Sequence, residues 1–129
     1  MRNIEFRGQK VSDIEWVYGS LIIEYDKTCF ISNWVSKLIE PENNYREMVC
    51  QDFEVKPESI GQFTNLFDKN KNKIFEGKNS LKLTIIGLGE GLVDVMMKDG
   101  QWFIFSESQG FAPLFEMLNN SAIELEVNI

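Results

Sequence analysis

Asp68, Asn70 and Asn72 set oxygen donors at alternate positions, the opening spacing of a calcium-binding loop. The match stops there. The sixth position is Lys73 instead of the glycine that the loop's sharp turn needs, and the twelfth is Asn79 instead of a bidentate glutamate. The flanks also read as strands, so the segment is a polar hairpin turn, and neither a metal nor another cofactor is expected. Gly87-x-Gly89-x-Gly91 follows a strand, as a phosphate loop would. Residues 92–97 are strand-like and begin no helix, and no lysine follows the glycines, so neither a dinucleotide fingerprint nor a P-loop fits. Histidine is absent, which removes the commonest general base and metal ligand and every catalytic arrangement built on it. Any catalysis would rest on carboxylates, Lys, Tyr or Cys. Asp94, Asp99 and Glu107 fall in or near one hairpin, but Asp99 is explained by a turn and the others by outward positions on alternating strands.

The charge pattern constrains partners. Twenty acids against 13 bases give a net charge of −7, a field that repels phosphate and makes nucleic-acid binding an unfavoured reading. Five lysines (Lys69, Lys71, Lys73, Lys78 and Lys82) nevertheless cluster around a single acid, Glu76, while residues 83–129 hold one base, Lys98, and seven acids. Lysines on a hairpin are ordinarily solvated and discourage edge-to-edge pairing of sheets. Aromatic residues are plentiful, with ten Phe, three Tyr and three Trp. Trp16, Trp34 and Trp102 could line a peptide groove, and the binding positions selected from the sequence are Trp16, Tyr18, Phe63, Phe75 and Trp102.

These side chains must be carried by strands. Alternating, β-branched or aromatic segments occupy residues 3–7, 15–25 (with Gly19 marking a bulge or a close backbone approach), 28–31, 48–55, 60–66, 81–86, 93–98, 101–105 and 123–127. Asp99-Gly100 supplies the positive φ angles of a two-residue hairpin turn. Ser32 or Asn33 can cap a short helix bearing Trp34, Val35, Leu38 and Ile39, ended by Pro41. A loop is the other reading of that stretch. Pro113 suits the first turn of a second short helix over residues 112–118. The expected fold is mainly β, a small barrel or a pair of packed sheets with one or two short helices. At 129 residues the chain is expected to be one domain, with N-terminal strands over about 1–56 and a barrel-like half over about 57–129. No stretch is long and apolar enough for a membrane span or signal peptide, so a cytoplasmic setting with Cys29 and Cys50 as free thiols is expected.

One stretch carries a resemblance. Pro57-Glu58-Ser59-Ile60-Gly61-Gln62-Phe63-Thr64-Asn65-Leu66-Phe67-Asp68-Lys69-Asn70, followed by Ile74-Phe75-Glu76-Gly77, resembles the signature of the YopX family of phage and prophage proteins. The opening Met1-Arg2-x-Ile4-x-Phe6-Arg7, then Trp16-Val17-Tyr18-Gly19, and the closing residues 123–129 are similar to the family's two ends. Asn65 and Lys71 stand where the family usually has glycine, and Lys78 where it has aspartate. The resemblance implies a mainly β fold with a small, partly open, SH3-like barrel in the C-terminal half, bacterial host cytoplasm as the setting, and no established activity. Gly61, Gln62, Glu76 and Gly77 carry it, and turn and hairpin chemistry accounts for them.

Two function classes follow. The favoured one is a phage- or prophage-encoded, non-catalytic binding or assembly module that holds a protein partner, or copies of itself, through a sheet face or strand edge. The alternative is a small enzyme with a carboxylate-based site. A variant of the first class is an acidic inhibitor of a host nucleic-acid-binding protein, which Asp94, Glu107, Glu116, Glu124 and Glu126 gathered on one face would favour.

Overall fold

The computed structural model describes residues 4–128, which fold as mainly antiparallel β structure in two compact units, Ile4–Ile60 and residues 61–128. Met1, Arg2, Asn3 and Ile129, and with them the outermost ends of the resemblance, lie outside the described residues.

The N-terminal unit is a sheet in the order β4-β3-β2-β1, formed by β1 (Phe6–Gln9), β2 (Trp16–Ile23), β3 (Cys29–Glu40) and β4 (Tyr45–Val55). Its core is small: Val17, Cys29, Ile31 and Val55 are buried, with Phe6, Leu21, Phe53 and Ile60 packed against them. Gly19 is the close approach that its place inside a strand implies, since a Cβ there would lie 2.2 Å from the Ser32 carbonyl oxygen. The helix expected after Ser32 is not formed. β3 continues as strand to Glu40, and Pro41–Asn43 makes only a single 3-10 turn, closed by Asn44 in the left-handed conformation. The partner decides this. β4 pairs with β3 from Cys29↔Val55 out to Glu40↔Tyr45, bonding the facing backbone groups of both strands, whereas a helix would have had only a weak apolar stripe to bury. An irregularity between Leu38 and Glu40 inserts Ile39 as an extra residue.

The C-terminal unit contains the β5 (Gly61–Phe67) and β6 (Lys73–Phe75) hairpin and a five-stranded sheet in the order β10-β9-β8-β7-β11. That sheet consists of β7 (Gly77–Ile85), β8 (Gly89–Lys98), β9 (Gln101–Ser106), β10 (Gly110–Pro113) and β11 (Ile123–Val127). Its end strands β10 and β11 do not pair with each other, so it is an open sheet and not a closed barrel. Ile74, Leu81, Val95 and Leu114 are completely or almost completely buried in its core, with Trp102, Ile104 and Leu125 beside them. Helix α1 (Leu114–Leu118) starts directly after Pro113. The Asp99-Gly100 turn has φ angles of 51° and 78°, as a two-residue hairpin requires. Asn65 and Lys71, standing where the resembled family has glycine, each take a φ of 66°.

Candidate functional site

The residues carrying the resemblance face one another inside the C-terminal unit. A Cβ on Gly61 would sit 2.0 Å from the Glu76 carbonyl oxygen, so only glycine permits the strands to approach this closely. The Glu76 N–H donates to the Gln62 carbonyl at 2.9 Å, and the Gln62 N–H donates to a Glu76 carboxylate oxygen at 3.4 Å. Gly77 opens β7. Asp68 caps the β5–β6 turn. Its Oδ1 accepts the N–H groups of Asn70 (2.9 Å) and Asn72 (2.8 Å), and its Oδ2 accepts the N–H of Val127 at 2.9 Å. Burial of this carboxyl would raise its pKa. The N–H groups of Val127, Asn72 and Asn70 outweigh that effect and hold it below the usual carboxylate range. A carboxylate so fully occupied closes a turn instead of binding an ion, and among the described residues no group of His, Cys, Asp and Glu is placed to hold a metal.

Several of the other charged candidates are occupied as well. Lys69 bonds Glu124 at 2.8 Å, Asn70 donates to Glu126 at 3.0 Å, and Lys82 lies 3.1 Å from Glu90. The basic segment and the acidic C-terminal stretch thus partly neutralise each other. Asp94 accepts the Asn79 N–H at 2.8 Å, and Asp99 sits in its turn. A shallow recess of about 260 Å³ is lined mainly by Leu83, Ile85, Leu88, Leu92 and Val93, with Glu90 as its only carboxylate. That lining offers no acid–base pair.

The five aromatic positions selected from the sequence separate. Phe63, Phe75 and Trp102 are buried, with the Phe63 and Phe75 rings 5.5 Å apart, so these three lie in the interior and not on an exposed face. Their aromatic identity marked them, but opposite one another in a hairpin (Phe63↔Phe75) or facing the sheet core they serve packing. Trp16 and Tyr18 keep 37% and 45% of their surface exposed. The Arg7 guanidinium lies 4.3 Å over the Trp16 ring; burial lowers its pKa, and interaction with Tyr18 opposes that shift.

One exposed apolar surface of the N-terminal unit includes part of the stretch expected as a short helix or a loop. β2 pairs with β3 only as far as Ser20↔Ser32, after which the Asn33 side chain donates to the Tyr18 carbonyl at 3.0 Å. From Trp34 to Glu40, β3 pairs with β4 alone, giving a two-stranded ribbon roughly 20 Å long. Cys29 and Ile31 point into the core, so strand alternation puts Trp34, Ser36 and Leu38 on the opposite face, together with their partners Cys50, Met48 and Arg46. On this outer face Trp34 is 67% and Met48 61% exposed, and Leu38 is exposed beside them. The Arg46 Nε–H donates to Ser36 Oγ at 2.9 Å, and the Cys50 thiol lies 3.0 Å from Ser32 Oγ. Both cysteines are free, Cys29 buried and Cys50 exposed, and the register holds them well apart, Cys29 opposite Val55 and Cys50 opposite Trp34.

β4 is also an edge. Among the described residues its outer side is met only near its end, where the Val11 N–H donates to the Glu54 carbonyl at 3.1 Å and the Lys56 N–H donates to the Gln9 carbonyl at 2.9 Å. These bonds fix the orientation of the strand. The N–H and C=O of Glu54 point outward, so alternation turns those of Arg46, Met48, Cys50 and Asp52 outward too. No helix among the described residues is long and apolar enough to cross a membrane. Comparisons with family models, curated proteins and solved structures give no match to this chain.

Proposed function

We propose that this protein is a non-catalytic protein-binding or assembly module, phage- or prophage-encoded as the resemblance to the YopX family implies, and that it engages a protein through the β3–β4 ribbon. The observation that carries this reading is the outer face of the ribbon. Trp34, Leu38 and Met48 lie exposed side by side on a segment held by one partner strand only. A two-stranded ribbon is marginal by itself, and an apolar face on it adds nothing to the fold. Exposed tryptophan and methionine are side chains that interfaces concentrate, tryptophan as a buried anchor and methionine as an adaptable contact. Asp68, Asp94 and Glu124, in contrast, are engaged in turns and an ion pair, which favours binding over catalysis at those positions.

The test compares two tagged baits in bacterial host lysate treated with nuclease, the natural chain and a Trp34→Ser/Met48→Ser variant. Recovery of one stoichiometric protein by the natural chain and its loss with the variant is the expected result. Equal recovery by both baits, or recovery of the bait alone, overturns the reading.

A further inference from the structure

We infer that the free edge of β4 pairs with the same edge of a second copy, antiparallel and centred on Val49, to form a symmetric dimer. This rests on the assembly-module reading and names the first partner of the ribbon. The outward backbone groups belong to Arg46, Met48, Cys50 and Asp52, and the Val11 contact to Glu54 closes the edge just beyond them. Val49 is the midpoint of that set. An antiparallel two-fold pairing about it sets Met48 against Cys50 of the second copy and Arg46 against Asp52 of the second copy, so every outward N–H and C=O finds a partner. The interface is isologous and closes on itself as a dimer instead of propagating.

Charge selects the same register. With Val49 at the centre, an Arg46–Asp52 pair forms at each end, Glu47 meets Gln51, and Val49 meets Val49, with no like charges opposite each other. Centring on Cys50 would place Arg46 against Glu54, whose carbonyl the Val11 N–H already holds, and would leave the outward groups of Arg46 unpaired. A shift by one residue would put outward groups against inward ones and is excluded by hydrogen bonding. The edge has the length and charges to pair with itself, and it lacks the proline and lysine that commonly block such pairing. Pairing also joins the outer faces of two ribbons, bringing Met48 and Trp34 of both copies onto one continuous sheet surface.

The purified natural chain tests this without any other partner. In a Cys50→Ser background, Val49→Cys places two thiols directly opposite in a non-hydrogen-bonded pair, where Cα atoms are about 4.5 Å apart, within disulfide range. Mild oxidation is expected to give a covalent dimer of this variant, while Cys50 in the natural chain, diagonal to its copy at roughly 8 Å, does not cross-link. Sedimentation should show a reversible dimer whose dissociation constant rises by about tenfold to a hundredfold with Arg46→Asp or Asp52→Arg and recovers in the Arg46→Asp/Asp52→Arg double exchange. Recovery in the double exchange separates lost pairing from lost folding. Cross-linking through Cys50 with none through Val49→Cys overturns the register. A natural chain that stays monomeric at millimolar concentration overturns self-pairing altogether, and the lysate comparison of Trp34 and Met48 then judges the assembly-module reading independently.

Discussion

Replacing Asp68 by asparagine is the sharpest test of how the C-terminal unit is held together. Asn retains one carbonyl oxygen, which can still accept from Asn70 and Asn72, but its amide group must then face the Val127 N–H. The change removes one hydrogen bond to a charged acceptor, about 1.5–3 kcal/mol, and leaves a half-buried N–H opposite another donor, about 1–3 kcal/mol more. Because these terms overlap, Asp68→Asn should cost about 2–4 kcal/mol. In urea, with a slope of about 1–3 kcal/mol per molar, the midpoint should fall by about 0.7 M or more. The pH dependence provides a second readout. The folded pKa of Asp68 is depressed, so its stabilisation is present above the unfolded aspartate value near 3.9 and is lost as pH falls through the lower folded value. The gap between natural chain and variant should therefore be full at pH 7 and narrow below about pH 4. A midpoint that moves by less than about 0.3 M at pH 7, or a gap that does not shrink in acid, would refute the capping role.

Gly61→Ala should destabilise by about 2 kcal/mol or more, lowering the thermal midpoint, because the added Cβ meets the Glu76 backbone and not a movable side chain. An unchanged midpoint would show that the two strands do not approach as described. Thiol labelling of the native protein should modify Cys50 rapidly and Cys29 only after denaturant is added, and equal rates would contradict the burial of Cys29. Amide exchange in dilute solution should alternate along β4, slow at Glu47, Val49 and Gln51, and fast at Arg46, Met48, Cys50 and Asp52. The inverse pattern would mean that the strand is turned over.

The local signals were legible where one or two residues determine the backbone. The Asp99-Gly100 turn follows from steric preference and lies as the sequence implies, whereas α1 begins only after Pro113, which with Ala112 ends β10 instead of opening the helix. Gly19 inside β2 was readable as a close approach for the same reason. The stretch from Ser32 to Pro41 was not legible, because a cap, a stop and a four-residue spacing between Trp34 and Leu38 imitate a helix. What decides it is the following run from Tyr45 to Val55, which pairs with β3 from end to end apart from the extra residue Ile39. Sidedness was equally hidden. Phe63, Phe75 and Trp102 look the same in sequence as Trp16 and Trp34, and only the register shows which rings turn inward.

The two units differ in where their polar groups and apolar rings end up, and that difference bears on where function should be sought. In the C-terminal unit the conspicuous motif residues satisfy one another: Gly61 against Glu76, Gln62 with Glu76, Asp68 with three backbone N–H groups, Lys69 with Glu124. Such closure is what a stable hairpin needs, and it leaves those side chains little to offer a ligand. In the N-terminal unit the ribbon keeps Trp34 and Met48 in water and the outward backbone groups of Arg46, Met48, Cys50 and Asp52 without a protein partner among the described residues. Departures from local consistency tend to concentrate at functional sites, since the fold gains nothing from maintaining them. The motif that is most conspicuous in the sequence therefore explains the architecture, and the segment whose sequence misleads is the one that keeps an apolar face exposed.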